Sequence, residues 1–349
     1  MLMDLEYQFW HWVFFFAVVL IALYVDIGIV NRKAHAPSRK ETISWSVVWV
    51  SMALLFGVFV LWQFGSFKAK EFYTGYLIEL SLSIDNLFVF LLIFSFFKVP
   101  KQFQHRALFW GIFMALVMRM AMIFAGAQLV EQFEWILYFF GVFLIYTGIK
   151  MFSDDVSFDP EESVIVRLTT KFIRIENKYD GHKFFTIADG KRVGTLLLLV
   201  LIVINVADLV FAVDSIPAIF GITTDRFIVY TSNIFAILGL RTFFFLLADM
   251  ADRFHYLKYG LAFVLSFIGA KMLLPLLAEG AIIVIGKDSH SALADFSHKF
   301  VEGGFKQEFV NASLGIVAGT LALSIILSII FPPIGETEEE KLIETLESD

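Results

Sequence analysis

Runs of about twenty apolar residues recur along almost the whole chain, each long enough as a helix to cross a ~30 Å hydrocarbon core. Lipid as solvent then dictates the fold class, because every backbone N–H and C=O inside it must bond within its own segment. The expected fold is an all-α polytopic membrane protein. Composition agrees: 58% of the 349 residues are hydrophobic and 17% charged, against roughly a quarter charged in soluble domains. Nine spans can be drawn, at about 9–30, 44–64, 72–97, 106–128, 133–152, 194–220, 228–248, 257–278 and 310–331. Ala34-His35-Ala36 imitates a signal-peptide cleavage site. However, acids (Asp4, Glu6) precede the first run and the bases Arg32, Lys33, Arg39 and Lys40 follow it, the reverse of a signal.

Basic residues orient the chain. With the N-terminus outside, 17 of the 27 Lys and Arg fall in inside loops, six fall outside, and four (Arg119, Lys150, Arg241, Lys271) lie within spans. The positive-inside rule therefore predicts N-out, C-in. The net charge of −7 is carried mostly by the tail, where seven acids after Pro332 face Lys341 alone. No nucleic-acid partner is expected. There is no cysteine, which excludes disulfides and thiolate metal sites. The seven histidines fall in loops or at span ends. The cluster Met114, Met118, Met120 and Met122 reads as packing rather than a soft-metal path.

An internal repeat organises the middle of the chain. Glu79-Leu-Ser-Leu-Ser-Ile-Asp85-Asn86 matches Asp208-Leu-Val-Phe-Ala-Val-Asp214-Ser215, acid to acid at a spacing of six. In the next span Gly111 to Arg119 parallels Asn233 to Arg241, and in the third Gly148-Ile-Lys150-Met151 answers Gly269-Ala-Lys271-Met272. Each unit holds three spans and none lies between the units, so the second unit enters the bilayer from the opposite side. Two inverted three-helix repeats are the architecture of many secondary transporters, whose sites lie near the midplane at the repeat interface. The expected divisions are 1–71 (two spans), 72–152 (first repeat), 153–193 (cytoplasmic loop), 194–278 (second repeat), 279–309 (extracytoplasmic segment), 310–331 (last span) and 332–349 (acidic cytoplasmic tail).

Four acids, Glu79, Asp85, Asp208 and Asp214, fall well inside spans. Each charge at a helix centre costs roughly 2.5–3.5 kcal/mol, so partner bases, protons or a bound cation must offset them. At about 100° per residue, Glu79 shares a face with Asn86, and Asp208 with Ser215. Pro217 cannot donate to the Val213 carbonyl and is expected to interrupt the helix beside Asp214. The available ligands are these carboxylates, the amides of Asn86 and Asn205, the hydroxyls of Ser81, Ser83 and Ser215, and backbone carbonyls. An all-oxygen set suits Mg²⁺, Ca²⁺ or Mn²⁺ rather than Zn²⁺ or copper. Arg119 and Arg241 are the charge-pairing candidates. They either neutralise the acids permanently or exchange with a cation. Lys150 and Lys271, toward span ends, read as snorkelling bases, and Asp26 as part of a local pair.

Ser81-Leu-Ser-Ile-Asp85-Asn86, Asp208 to Ala218 with its Asp214-Ser215-Ile216-Pro217-Ala218 motif, and Thr231 to Arg241 resemble the signature segments of the TerC family of bacterial integral membrane proteins, closest to its Alx branch. The resemblance covers about residues 10–275. It implies Mn²⁺ efflux across the inner membrane, with labels of tellurite resistance and redox modulation also attached to the family, and places metal handling on Asp85, Asp208 and Asp214, with Asn86 beside them. Family members usually carry Glu where this chain has Asn205, which removes one charge from the site. The function expected is therefore a divalent-cation (Mn²⁺) exporter working by alternating access, with no permanently bound cofactor and protons as the candidate coupling ion. The runner-up is a membrane stress-response scaffold or redox modulator whose acids are structural. An intramembrane aspartyl protease using Asp85 and Asp214 lacks an accompanying Gly-X-Gly-Asp segment, so no enzymatic activity is expected.

Overall fold

The computed structural model describes residues 7–25, 39–133, 135–153, 164–188, 190–248, 256–285 and 306–331. The apolar runs are helical: α1 (Phe9–Val25), α2 (Arg39–Phe96), α3 (Lys101–Gln132), α4 (Ile136–Ser153), a short α5 (Val164–Phe172), α6 (Leu196–Phe220), α7 (Arg226–Ile237), α8 (Leu240–Ala248), α9 (Leu257–Ile285) and α10 (Lys306–Ile330). By length and apolar character, five of the described helices can cross a bilayer, or six if α7 and α8 form one bent span. Residues Phe9–Val25 and Ile136–Phe152 are shorter apolar helices. Their outward faces carry Leu, Val, Ile and Phe, and exposed Trp10, Trp62 and Trp135 sit near helix ends, where amphipathic rings suit the headgroup level.

As a straight rod the 58 residues of α2 would reach about 87 Å, nearly three hydrocarbon thicknesses. They fold back instead at Gly65, whose φ of 84° is open to a residue without Cβ. Across that turn the Tyr73 hydroxyl donates to the Leu54 carbonyl at 2.9 Å, and the Phe56 and Phe72 rings lie 5.5 Å apart. The two arms of α2 are thus antiparallel neighbours. The second arm packs against α7, and α3 packs against α6. Phe15, Phe56, Phe72, Phe227 and Phe235 fill the core between α1, α2 and α7.

Helices α4 and α9 pack closely and antiparallel. A Cβ placed on Gly269 would stand 2.5 Å from the Gly141 carbonyl oxygen, and one on Gly148 would stand 2.7 Å from the Ala262 carbonyl oxygen. Small residues allow this approach where lipid tails provide no hydrophobic drive to associate.

Two expectations need correction. The span drawn at 228–248 is not one straight helix: it breaks at Leu238-Gly239 and α8 leaves α7 at 41°. Gly239 has φ +89°, and a Cβ there would fall 2.6 Å from Trp49 Cγ, so packing against α2 fixes the break. Helix α6 runs through Pro217 without interruption: the proline withholds one bond, to the Val213 carbonyl, and too little helix follows it for a kink to redirect. One small strand pair joins the helices without changing the all-α class. Within the loop drawn at 153–193, β1 (Phe185–Ala188) and β2 (Lys191–Gly194) form an antiparallel hairpin turned at Gly190, with φ +71°.

Helix α9 extends past 278 to Ile285, and α10 begins at Lys306. The rest of the 279–309 segment, the acidic tail and Asp26 lie outside the described residues.

Candidate cation site

Three helices bring their polar residues to one buried point. Glu79, from the second arm of α2, forms an ion pair with Arg119 of α3. Asp208 of α6 places Oδ1 3.5 Å from Arg119 Nη2. Arg119 Nη1 also donates to Ser215 Oγ at 3.4 Å, two helical turns further along α6. Ser83, one turn beyond Glu79, donates to its Oε1 at 3.5 Å. All five are buried, with Arg119 at 2%, Glu79 at 1% and Asp208 at 4% exposure. This depth makes the charges costly unless paired.

The pairing is incomplete. Two carboxylates face one guanidinium, and Glu79 Oε2 and Asp208 Oδ2 have no hydrogen-bond partner among the described residues. Arg119 Nε and Nη2 are likewise without a hydrogen-bond partner among the described residues, so the surplus is one negative charge, which a hard cation or a proton would relieve.

The other candidates have settings of their own. Asn86 is buried, and its Nδ2 is without a partner among the described residues. Asn205 donates to the Leu201 carbonyl at 2.7 Å and leaves Oδ1 unpartnered. Ser81 spends its hydroxyl on the Leu77 carbonyl at 2.7 Å. Asp85 is half-buried and within electrostatic reach of Lys258 on α9. Asp214 is a residue of α6, but its side chain lies outside what the structure describes. Among the described residues, no three acids or histidines gather closely enough to hold a metal ion by themselves.

Arg241, the repeat counterpart of Arg119, is placed differently. It heads α8 just after the break, and its Nη2 bonds Nδ1 of buried His105 on α3, whose ring stacks on Phe245 at 4.6 Å. A guanidinium can only donate, so Nδ1 accepts and the His105 proton resides on Nε2. The two arginines therefore do not have equivalent surroundings, although their sequence contexts match.

One polar cluster escaped the sequence reading. Lys68 pairs with Asp225, which also accepts from the Tyr7 hydroxyl and caps α7 through Ile228 N at 3.2 Å. Lys68 Nζ lies 3.8 Å from Glu71 Oε2, and Glu71 is buried at 3% exposure within electrostatic reach of Lys271. Lys271 is thus engaged with an acid rather than only snorkelling. Residues 65–71 fall between two of the spans drawn from the sequence. The usable signal was the spacing of Lys68 and Glu71, one helical turn apart.

A bundle whose apolar helices are long enough to cross a bilayer, packed around a buried charged cluster, defines a polytopic integral membrane protein. The profile of the integral membrane protein TerC family matches residues 64–332, and the chain belongs to that family. It is 46% identical over 320 residues to "Uncharacterized membrane protein STKORF319" of Myxococcus xanthus, covering 91% of this chain and 92% of that one. It is 46% identical over 276 residues to the "Putative membrane-bound redox modulator Alx" of Escherichia coli strain K12, covering 75% and 85%. A Rickettsia bellii membrane protein is 43% identical over 262 residues, covering 75% and 87%. No solved structure matches the chain.

Proposed function

We propose that this protein exports a divalent cation, Mn²⁺ by the chemistry of its ligands, across the bacterial inner membrane by alternating access. The observation that carries the reading is the convergence of Glu79 and Asp208 on the single Arg119, each with one carboxylate oxygen left over. Arg119 acts as a tethered stand-in for the cargo. It holds the acids in the metal-free state and gives way when a cation arrives. Asp85, Asn86, Asp214, Ser215 and Asn205 supply the remaining oxygens, so the ligand set is hard and contains no thiolate. Protons released or taken up by the carboxylates are the proposed coupling ions.

The architecture proposed is nine spans, N-out and C-in, with two inverted three-helix repeats. Its support is reciprocal packing. Gly141 meets Gly269, and their repeat partners Ala262 and Gly148 meet each other; Ile145 meets Gly269, and its partner Ser266 meets Gly148. Exchange of equivalent contacts is what a two-fold relation between the units requires. The fold-back at Gly65 allows α2 to supply two of the nine spans.

A second reading has its own observation. Arg119 already pairs with Glu79 and approaches Asp208, as it would in a purely structural network belonging to a scaffold or a redox modulator such as the name of the Alx relative suggests. Without cysteine, redox chemistry on this chain could not use thiols. Cellular metal content separates the two. Induction of the wild type should lower cell Mn²⁺, and induction of Asp208→Asn at equal membrane abundance should not. Unchanged Mn²⁺ with both favours the scaffold.

A further inference from the structure

We propose that the face formed by α5 and the β1–β2 hairpin is a lipid-contact surface that binds the anionic headgroups of the surrounding bilayer. Charge is segregated along this part of the chain. Residues 154–163 hold five acids and no base, whereas residues 164–195 hold seven bases (Arg167, Lys171, Arg174, Lys178, Lys183, Lys191, Arg192) against three acids. All seven bases are exposed. Of the acids, Glu176 is half-buried and Asp180 is occupied by Thr186 at 2.8 Å and Lys183 at 3.1 Å.

Apolar groups stand among these bases. On the hairpin, side chains alternate between faces, so Phe185 and Ile187 share one face with Arg192, the cross-strand partner of Ile187. Phe185 is 43% and Ile187 77% exposed, and the Arg192 guanidinium lies 4.5 Å above the Phe185 ring. An aromatic, an aliphatic and a guanidinium on one face match the headgroup boundary, where apolar area and cationic charge act together. Helix α5 repeats the combination, with Val166 packed on the core and Arg167 and Lys171 exposed.

Covalent geometry keeps this face at the membrane. Strand β2 ends at Gly194, Thr195 is buried, and Leu196 opens the apolar helix α6 with no linker between. The same segment is tied to the α2–α3 connection and the start of α3: the Tyr179 hydroxyl donates to the carbonyl of Phe97, just past α2, at 2.7 Å, and Arg106 of α3 lies over the Phe184 ring at 5.1 Å. The hairpin cannot leave the headgroup zone, and the occupant it fits is an anionic lipid surface.

The absence of native cysteine makes the test direct. The full-length chain carrying Ile187→Cys, labelled with an environment-sensitive fluorophore, is placed in nanodiscs of phosphatidylglycerol, in nanodiscs of phosphatidylcholine and in detergent. In phosphatidylglycerol the emission should shift to the blue and quenching by aqueous iodide should fall several-fold relative to the other two. Lys183→Gln with Lys191→Gln and Arg192→Gln should abolish the difference. Equal quenching in all three media overturns the proposal. So does protection in detergent that disappears when residues 336–349 are removed, because the basic face then holds the chain's own acidic tail.

Discussion

Arg119 of α3 and Asp208 of α6 stand 3.5 Å apart at a point where the same guanidinium also pairs with Glu79 of α2. One base therefore links the acids that begin the two repeated motifs, and it cannot neutralise both. Removing the base exposes what the acids need. In Arg119→Gln, two buried carboxylates lose their partner, at a cost of about 3–5 kcal/mol. Mn²⁺ should restore part of it, by about 2.7 kcal/mol at a concentration a hundredfold above the dissociation constant. Thermal unfolding in detergent with and without Mn²⁺ checks this. A larger Mn²⁺-dependent rise in the variant than in the wild type is expected, and no rise in either speaks for a structural network.

The close contacts of α4 and α9 give a test of the two-fold relation. Gly148→Leu and Gly269→Leu each push a side chain against backbone of the facing helix, and overpacking of this kind costs about 1–3 kcal/mol. If the units are related by a two-fold, both substitutions should lower the unfolding temperature by similar amounts. One tolerated and one disruptive variant would deny the equivalence.

Sidedness is checked by reporter fusions. A fusion at residue 170 is expected inside and one at residue 130 outside, because the proposed topology has α4 cross the bilayer once between them. Both on the same side would remove the basis for an inverted second unit.

The hairpin carries a pH dependence of its own. Hydrogen bonds from Thr186 and from Lys183 hold the exposed Asp180 carboxyl below the usual carboxylate range. A depressed carboxyl stabilises above its unfolded value, about 3.9, and loses that contribution as pH falls through the folded value. Hydrogen-exchange protection factors across residues 180–195, corrected for the slower intrinsic exchange at low pH, should fall on acidification, and Asp180→Asn should remove that fall. Burial raises the Tyr179 hydroxyl to about 12, so its bond to Phe97 persists across this range.

Legibility in the sequence followed the physics of each feature. The apolar helices were readable because hydrocarbon tolerates only long apolar helices, although five or six of the described helices, not nine, are long and apolar enough to cross. Family membership was readable because the Asp214-Ser215-Ile216-Pro217-Ala218 motif is specific. Arg119 could be named as a partner for the acids, since an arginine flanked by Met118 and Met120 has nowhere else to send its charge. Its inequivalence with Arg241 was hidden. Arg241 instead meets His105, 136 positions away in the chain, a tertiary contact that no local pattern encodes. The pairing of Lys68 and Asp225 was equally invisible, because it joins residues 157 positions apart. The hairpin escaped because β1 and β2 are four residues each, too short for an alternating pattern to stand out.

The most direct measurement is Mn²⁺ flux through the purified protein in liposomes. A Mn²⁺ gradient is imposed across proteoliposomes containing wild type, Glu79→Gln, Asp208→Asn or Asp214→Asn, each shown to be folded and inserted in equal amount. A cation path through these carboxylates requires wild-type flux with Mn²⁺ well ahead of Zn²⁺, and loss of about tenfold or more in each variant, since a charge-assisted ligand contributes roughly 1.5–3 kcal/mol. Wild-type flux no greater than in protein-free liposomes, or full flux retained in the Asp208 and Asp214 variants, would contradict it.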